Sequence, residues 1–131
     1  MIFVDTTVWV DYFNAVGNPE TNWLDRSFGR EALGLLDLIL CEILQGVRND
    51  RQFDAVKRDL LKLDVYSTGG TEFAVMAARN FRELRRRGFT VRKTVDCWIA
   101  TFCIRERFGF LHRDRDYDVF EQNLGLQVIH P

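Results

Sequence analysis

A chain of 131 residues, 47% hydrophobic and 28% charged, is long enough to close one hydrophobic core and too short for two ordinary domains, so residues 1–131 are expected to form a single domain. That balance excludes a disordered tail. Three cysteines, an odd number with no C-x-x-C pair, exclude a disulfide framework and a zinc motif. Cys41, Cys97 and Cys103 are therefore expected to be reduced and buried. No apolar stretch approaches the ~20 residues that cross a bilayer, and Met1 leads straight into Ile2-Phe3-Val4-Asp5 without a basic leader, so the expected location is the cytoplasm.

In chain order, "MIFV" is a short apolar run that stops abruptly at Asp5 and gives way to a helical pattern, "TVWVDYFN". Asn18 before Pro19 predicts an N-cap and first helical position. "ALGLL" predicts a second strand, and Asp37 is placed to cap a helix "LILCEILQGV" that carries Glu42. A further amphipathic helix spans roughly Asp50 to Leu61, followed by a strand "LDVYS". From Thr71 a long helix presents Ala74, Ala77, Ala78, Phe81 and Leu84 on one face, with Gly88 as its stop. "TVDCWIATFCIRERF" predicts the next helix, with Asp96 near its start. "FGFLH" is a fourth strand, "DYDVFEQNL" a short helix and "LQVIH" a closing strand, which puts His112 and His130 on strands. Strands alternating with helices predict an α/β fold with a mostly parallel sheet of four to five strands and helices on both faces.

In such sheets the working site lies beyond the C-terminal ends of the strands. Asp5 ends strand one, Asp114 and Asp116 follow strand four, and Glu42 and Asp96 open helices toward the same edge. Carboxylates brought that close repel one another unless a cation neutralises them, and hard Mg²⁺ or Mn²⁺ is the natural counter-ion. If all five acids converge, the remaining 14 acids face 18 cations, a surplus of +4, and 15 of those cations are arginine. That surplus suits a phosphate-rich substrate. Asp96 taken alone reads more readily as a helix-dipole partner, and Asp114 or Asp116 could be a helix cap. Nucleophilic triads, P-loops and dinucleotide-binding fingerprints lack their residues.

The strings "MIFVDTTVWVDYF", "LILCEILQG", "TVDCWIATFC" and "FLHRDRDYDVF", in that order, resemble the PIN-domain toxin ribonucleases of the VapBC toxin–antitoxin type over essentially the whole chain. The resemblance implies a PIN-like three-layer α/β/α fold and a Mg²⁺- or Mn²⁺-dependent endoribonuclease, with transfer or ribosomal RNA as substrate. It places the catalytic set on Asp5, Glu42, Asp96 and Asp114, with Asp116 as an additional acid and Thr6 orienting water or phosphate. Asp5, Asp96 and Asp114 are its implied metal ligands. It further implies a homodimer and a cognate antitoxin whose basic segment would fill the acidic pocket; Trp9, Tyr12, Phe13 and Trp23, in the helices after Asp5, are candidate apolar anchors for that segment, with core packing the competing role. Where many PIN domains carry Thr and Asn, this chain has His112 and Arg113, which leaves open whether Asp114 or Asp116 touches metal.

Arg79, Arg82 and Arg86 recur at helical spacing on the long helix and, with Arg113, are the candidates for RNA contact; an ordinary solvated face is the competing account. Two other functions compete. One is an RNA-binding or interaction module with a degenerate site, against which the full set of acids counts. The other is a phosphoryl-transfer receiver domain, which needs paired acids after strand one that this chain lacks.

Overall fold

The computed structural model describes residues 1–131. Its centre is one sheet of five short strands, β1 (Ile2–Val4), β2 (Leu33–Leu36), β3 (Asp64–Tyr66), β4 (Gly109–Leu111) and β5 (Gln127–Val128). Their order is β3-β2-β1-β4-β5 and every pairing is parallel. The chain thus runs outward from β1 to β3, then crosses back to add β4 and β5 on the other side of β1.

Right-handed crossovers put the helices of the outward and returning runs on opposite faces. The outward run holds α1 (Thr6–Phe13), α2 (Pro19–Ser27), α3 (Asp37–Gln45) and α4 (Asp50–Leu60), in which α1 packs on α2 and α3, and α3 on α4. The returning run holds α5 (Thr71–Arg86), α6 (Thr94–Glu106) and α7 (Asp118–Leu124), with α5 packed on both α6 and α7. This is the expected three-layer arrangement. The direction of strand addition reverses between β1 and β4, and their C-terminal ends therefore flank the crevice where ligands bind in such sheets.

Phe3 of β1 is fully buried and meets Tyr66 and Phe102 edge-on, at 5.2 and 5.5 Å between ring centroids. Its ring is seated over Gly34 of β2 so closely that a Cβ there would lie 2.6 Å from the Phe3 Cζ. At α2, Asn18 and Thr21 form a reciprocal capping box behind Pro19, as the sequence predicts.

Four expectations are corrected. Asp37 is the first residue of α3 rather than its cap: Leu36 is the N-cap, and the Asp37 carboxylate accepts from the Leu38 N–H at 2.8 Å and also from the N–H and hydroxyl of Thr68. His112 and His130 lie just past the ends of β4 and β5, because these strands are only three and two residues long. Cys41 is exposed on α3, while Cys97 and Cys103 are buried as expected. On α5 the buried positions are Phe73, Ala77 and Leu84; Ala74 and Ala78 are exposed, since their face borders an open hollow rather than the sheet.

Candidate active site

Asp5 follows β1, and its N–H donates to the Leu111 carbonyl at 2.9 Å, joining the ends of β1 and β4. Its side chain, 4% exposed, is the N-cap of α1. Oδ2 accepts from the Thr7 N–H at 3.2 Å and the Thr7 hydroxyl at 2.7 Å. Oδ1 accepts from the Tyr117 hydroxyl at 3.1 Å. A short residue with acceptor oxygens suits this position, where orphan helix N–H groups need partners.

Because α1 packs on α3, the hydroxyl of Thr6 reaches Glu42 and donates to its Oε1 at 2.8 Å. Burial raises the Glu42 carboxyl above the usual carboxylate range, opposed by the Thr6 hydrogen bond and reinforced by the charge of Asp5. A carboxyl with one oxygen hydrogen-bonded and its basicity raised is suited to proton transfer.

Asp96 lies in the first turn of α6 and is 6% exposed. Its Oδ1 is 3.3 Å from the Tyr117 hydroxyl, and its Oδ2 is buried with no hydrogen-bond partner. Burial, and after it the charge of Asp5, pushes this carboxyl up to about 6, with Lys93 acting in the opposite sense. A buried oxygen left without a donor is costly unless a ligand supplies the missing interaction.

Asp114 caps the turn of 3-10 helix Arg115–Tyr117, its Oδ1 accepting from the Asp116 N–H at 2.9 Å. Its own N–H donates to His112 Nδ1 at 3.1 Å, which places the ring proton on Nε2; burial lowers the pKa of this histidine and favours the neutral ring. Oxygens of Asp96, Asp114 and Asp116 lie within 4.8 Å of one another. Three carboxylates at that spacing, one with an unserved oxygen, fit a hard divalent cation in both charge and donor type. Asp5 joins this group through Tyr117, and Glu42 lies beyond it, near enough for the Asp5 charge to act on its carboxyl.

The arginines fall elsewhere. Arg79, Arg82 and Arg86 are exposed on α5, and Arg86 pairs with Glu83 at 3.0 Å. Arg82 and Arg85 line a hollow of about 300 Å³ that reaches Thr94 and Cys97 in the opening turn of α6, beside Asp96. Arg113 is held by Asp11 at 3.0 Å and Glu20 at 3.4 Å. Trp9, Tyr12 and Phe13 line a hollow of about 340 Å³ with Phe28 and Leu60, a group that does not include Trp23. Tyr117 and Lys93 are absent from the sequence-derived set. The signal for Tyr117 was a hydroxyl-bearing aromatic directly after the acids in "DRDYD".

The sequence profile of the PIN domain family matches residues 2–122. VapC ribonuclease Mb1587 of Mycobacterium bovis and ribonuclease VapC11 of Mycobacterium tuberculosis are each 34% identical to this chain over 130 residues, covering 98% of it and 97% of their own length. Among solved structures, VapBC2 from Rickettsia felis, bound to a DNA fragment from its promoter, superposes with a TM-score of 0.78 at 17% identity, covering 98% of both chains. FitAcB from Neisseria gonorrhoeae gives 0.77 at 16%, covering 100% of this chain and 98% of that one. VapC20 of Mycobacterium tuberculosis, described as a toxin that cleaves the sarcin-ricin loop, gives 0.70 at 18% with both chains fully covered.

Proposed function

The chain belongs to the PIN domain family, in its VapC branch, and we propose on that footing that it is a metal-dependent endoribonuclease, the toxin of a toxin–antitoxin pair. The observation that supports metal chemistry most directly is the clustering of Asp96, Asp114 and Asp116 carboxylate oxygens within 4.8 Å of one another, with Oδ2 of Asp96 buried and unpartnered.

In this reading Asp96, Asp114 and Asp116 hold Mg²⁺ or Mn²⁺, and Asp5 adds its charge through the shared Tyr117 hydroxyl. The bound cation supplies Lewis acidity to a phosphodiester oxygen and acidifies water. Glu42, whose carboxyl burial and Asp5 make more basic than an ordinary carboxylate, would accept a proton from water at the oxygen that Thr6 leaves free. Thr6 fixes the carboxyl rotamer. Lys93, which acts electrostatically on both Glu42 and Asp96, offsets negative charge where the phosphate enters. Arg79 and Arg82, which have no ion-pair partner, guide the RNA backbone; Arg113 contributes only where phosphate displaces Asp11 and Glu20.

The substrate class is structured transfer or ribosomal RNA and the working state a cytoplasmic homodimer. The partner is an antitoxin whose basic segment places arginine against the carboxylates, a pairing favoured by planar, bidentate geometry. The test incubates the purified chain with transfer and ribosomal RNA in Mg²⁺, Mn²⁺ or EDTA and maps the 5′ ends. Discrete cuts that vanish in EDTA and in Asp114→Asn are expected. Cleavage that survives both would overturn the proposal.

A further inference from the structure

Tyr117 is fully buried, packed edge-on against Phe110 at 4.8 Å and close to His112 at 5.1 Å. One partner would satisfy a buried phenol. Here the hydroxyl stands between two carboxylates from distant segments, 3.1 Å from Asp5 Oδ1 and 3.3 Å from Asp96 Oδ1.

A phenol has a single proton, so it can donate to only one of two ionised carboxylates at a time. The other oxygen then faces a lone pair, an arrangement relieved by a nearby cation. Both distances exceed the ~2.5–2.7 Å of a strong hydroxyl–carboxylate bond, as expected for a donor divided between two acceptors. The remaining oxygens complete the pattern. Asp5 Oδ2 is taken twice by Thr7, whereas Asp96 Oδ2 has no protein partner.

We infer that Tyr117 is a positioning residue: its hydroxyl ties Asp5 to Asp96 through their Oδ1 atoms and so fixes the rotation of Asp96, keeping Oδ2 free for a cation held with Asp114 and Asp116. This rests on the metal reading above. The aromatic ring fills the core, and the hydroxyl sets the site. Phenylalanine at 117 preserves the first and removes the second.

The experiment measures Mn²⁺ binding to the full chain and to Tyr117→Phe by calorimetry, together with the metal-free melting temperature of each. The dissociation constant should rise about tenfold or more, the usual result of removing a group that orients a ligand. The melting temperature should stay within a few degrees. Unchanged Mn²⁺ affinity in a folded Tyr117→Phe would overturn the inference and leave the metal site standing; failure of the unaltered chain to bind Mn²⁺ would instead sink the metal reading. Should the variant not fold, the unaltered sequence carrying 3-fluorotyrosine gives the second test. Its three ¹⁹F resonances are assigned with Tyr12→Phe and Tyr66→Phe, and the Tyr117 signal should move on addition of Mg²⁺. A Tyr117 signal that stays fixed while Mg²⁺ binds would overturn the inference.

Discussion

Asp96 couples function to stability through one buried carboxyl. Because burial and Asp5 push it up to about 6, the folded, metal-free protein holds this proton to higher pH than the unfolded chain does. A carboxyl raised above its unfolded value contributes stability that is complete below the usual carboxylate range and lost as pH rises through about 6. Metal-free protein should therefore melt higher at pH 5 than at pH 7.5, and saturating Mn²⁺ should reverse that order; thermal melts at both pH values check it. Asp96→Asn should raise the metal-free melting temperature at pH 7.5 while cutting cleavage at least ~100-fold, the equivalent of a few kcal/mol of transition-state stabilisation. A lower melting temperature would contradict the account of the Asp96 environment. Glu42→Gln should slow cleavage by ~10²–10⁴, the range for removal of a proton-transfer group, without weakening Mn²⁺ binding. At this scale the grouping of Asp96 with Asp114 and Asp116 was legible because an early helix turn and a strand end of a parallel sheet open on the same edge. Tyr117 was not, because in sequence a buried tyrosine looks like any core aromatic and only the folded chain shows which atoms its hydroxyl meets.

Elements were legible where local chemistry decides them and less so where neighbours do. The Asn18-Pro19 start of α2 and the break at Asp5 follow from capping, and the helices expected from the sequence are those found. Asp37 looks like a cap in sequence, yet Thr68, 31 residues away, competes for its carboxylate. Gly34 shows a constraint invisible in one strand alone, since the Phe3 ring of β1 and the Met1 sulfur occupy the space a side chain at 34 would need. Gly34→Ala should destabilise the protein by about 1–3 kcal/mol, the range for overpacking, and denaturant melts would read it. For α5 the helix was legible and the use of its arginines was not. Replacing Arg79, Arg82 and Arg86 with Gln should weaken RNA binding and flatten its salt dependence by roughly 0.7–0.9 in log–log slope for each phosphate no longer neutralised. With Arg86 already paired to Glu83, Arg82→Gln should account for more of the change than Arg86→Gln.

For the whole molecule, alternating strands and helices were enough to predict a three-layer fold, and the handedness of crossovers then leaves little choice of face. Strand order was not legible, because strands of two to four residues carry too little pattern to specify their neighbours. Yet strand order is what gathers the acids. The site lies on the seam between β1 and β4, and that seam joins the first strand of the chain to the fourth, with Asp5 donating to Leu111. A ribosome adding ~5–20 residues each second needs several seconds or longer to travel the roughly 110 residues from Asp5 to Asp116. During that interval the growing polypeptide has one carboxylate, then two, then three, and no β4 to bring the last pair beside the first. The cluster of acids therefore cannot assemble on any nascent chain that stops short of β4 and the turn after it, however long its first three strands have had to fold.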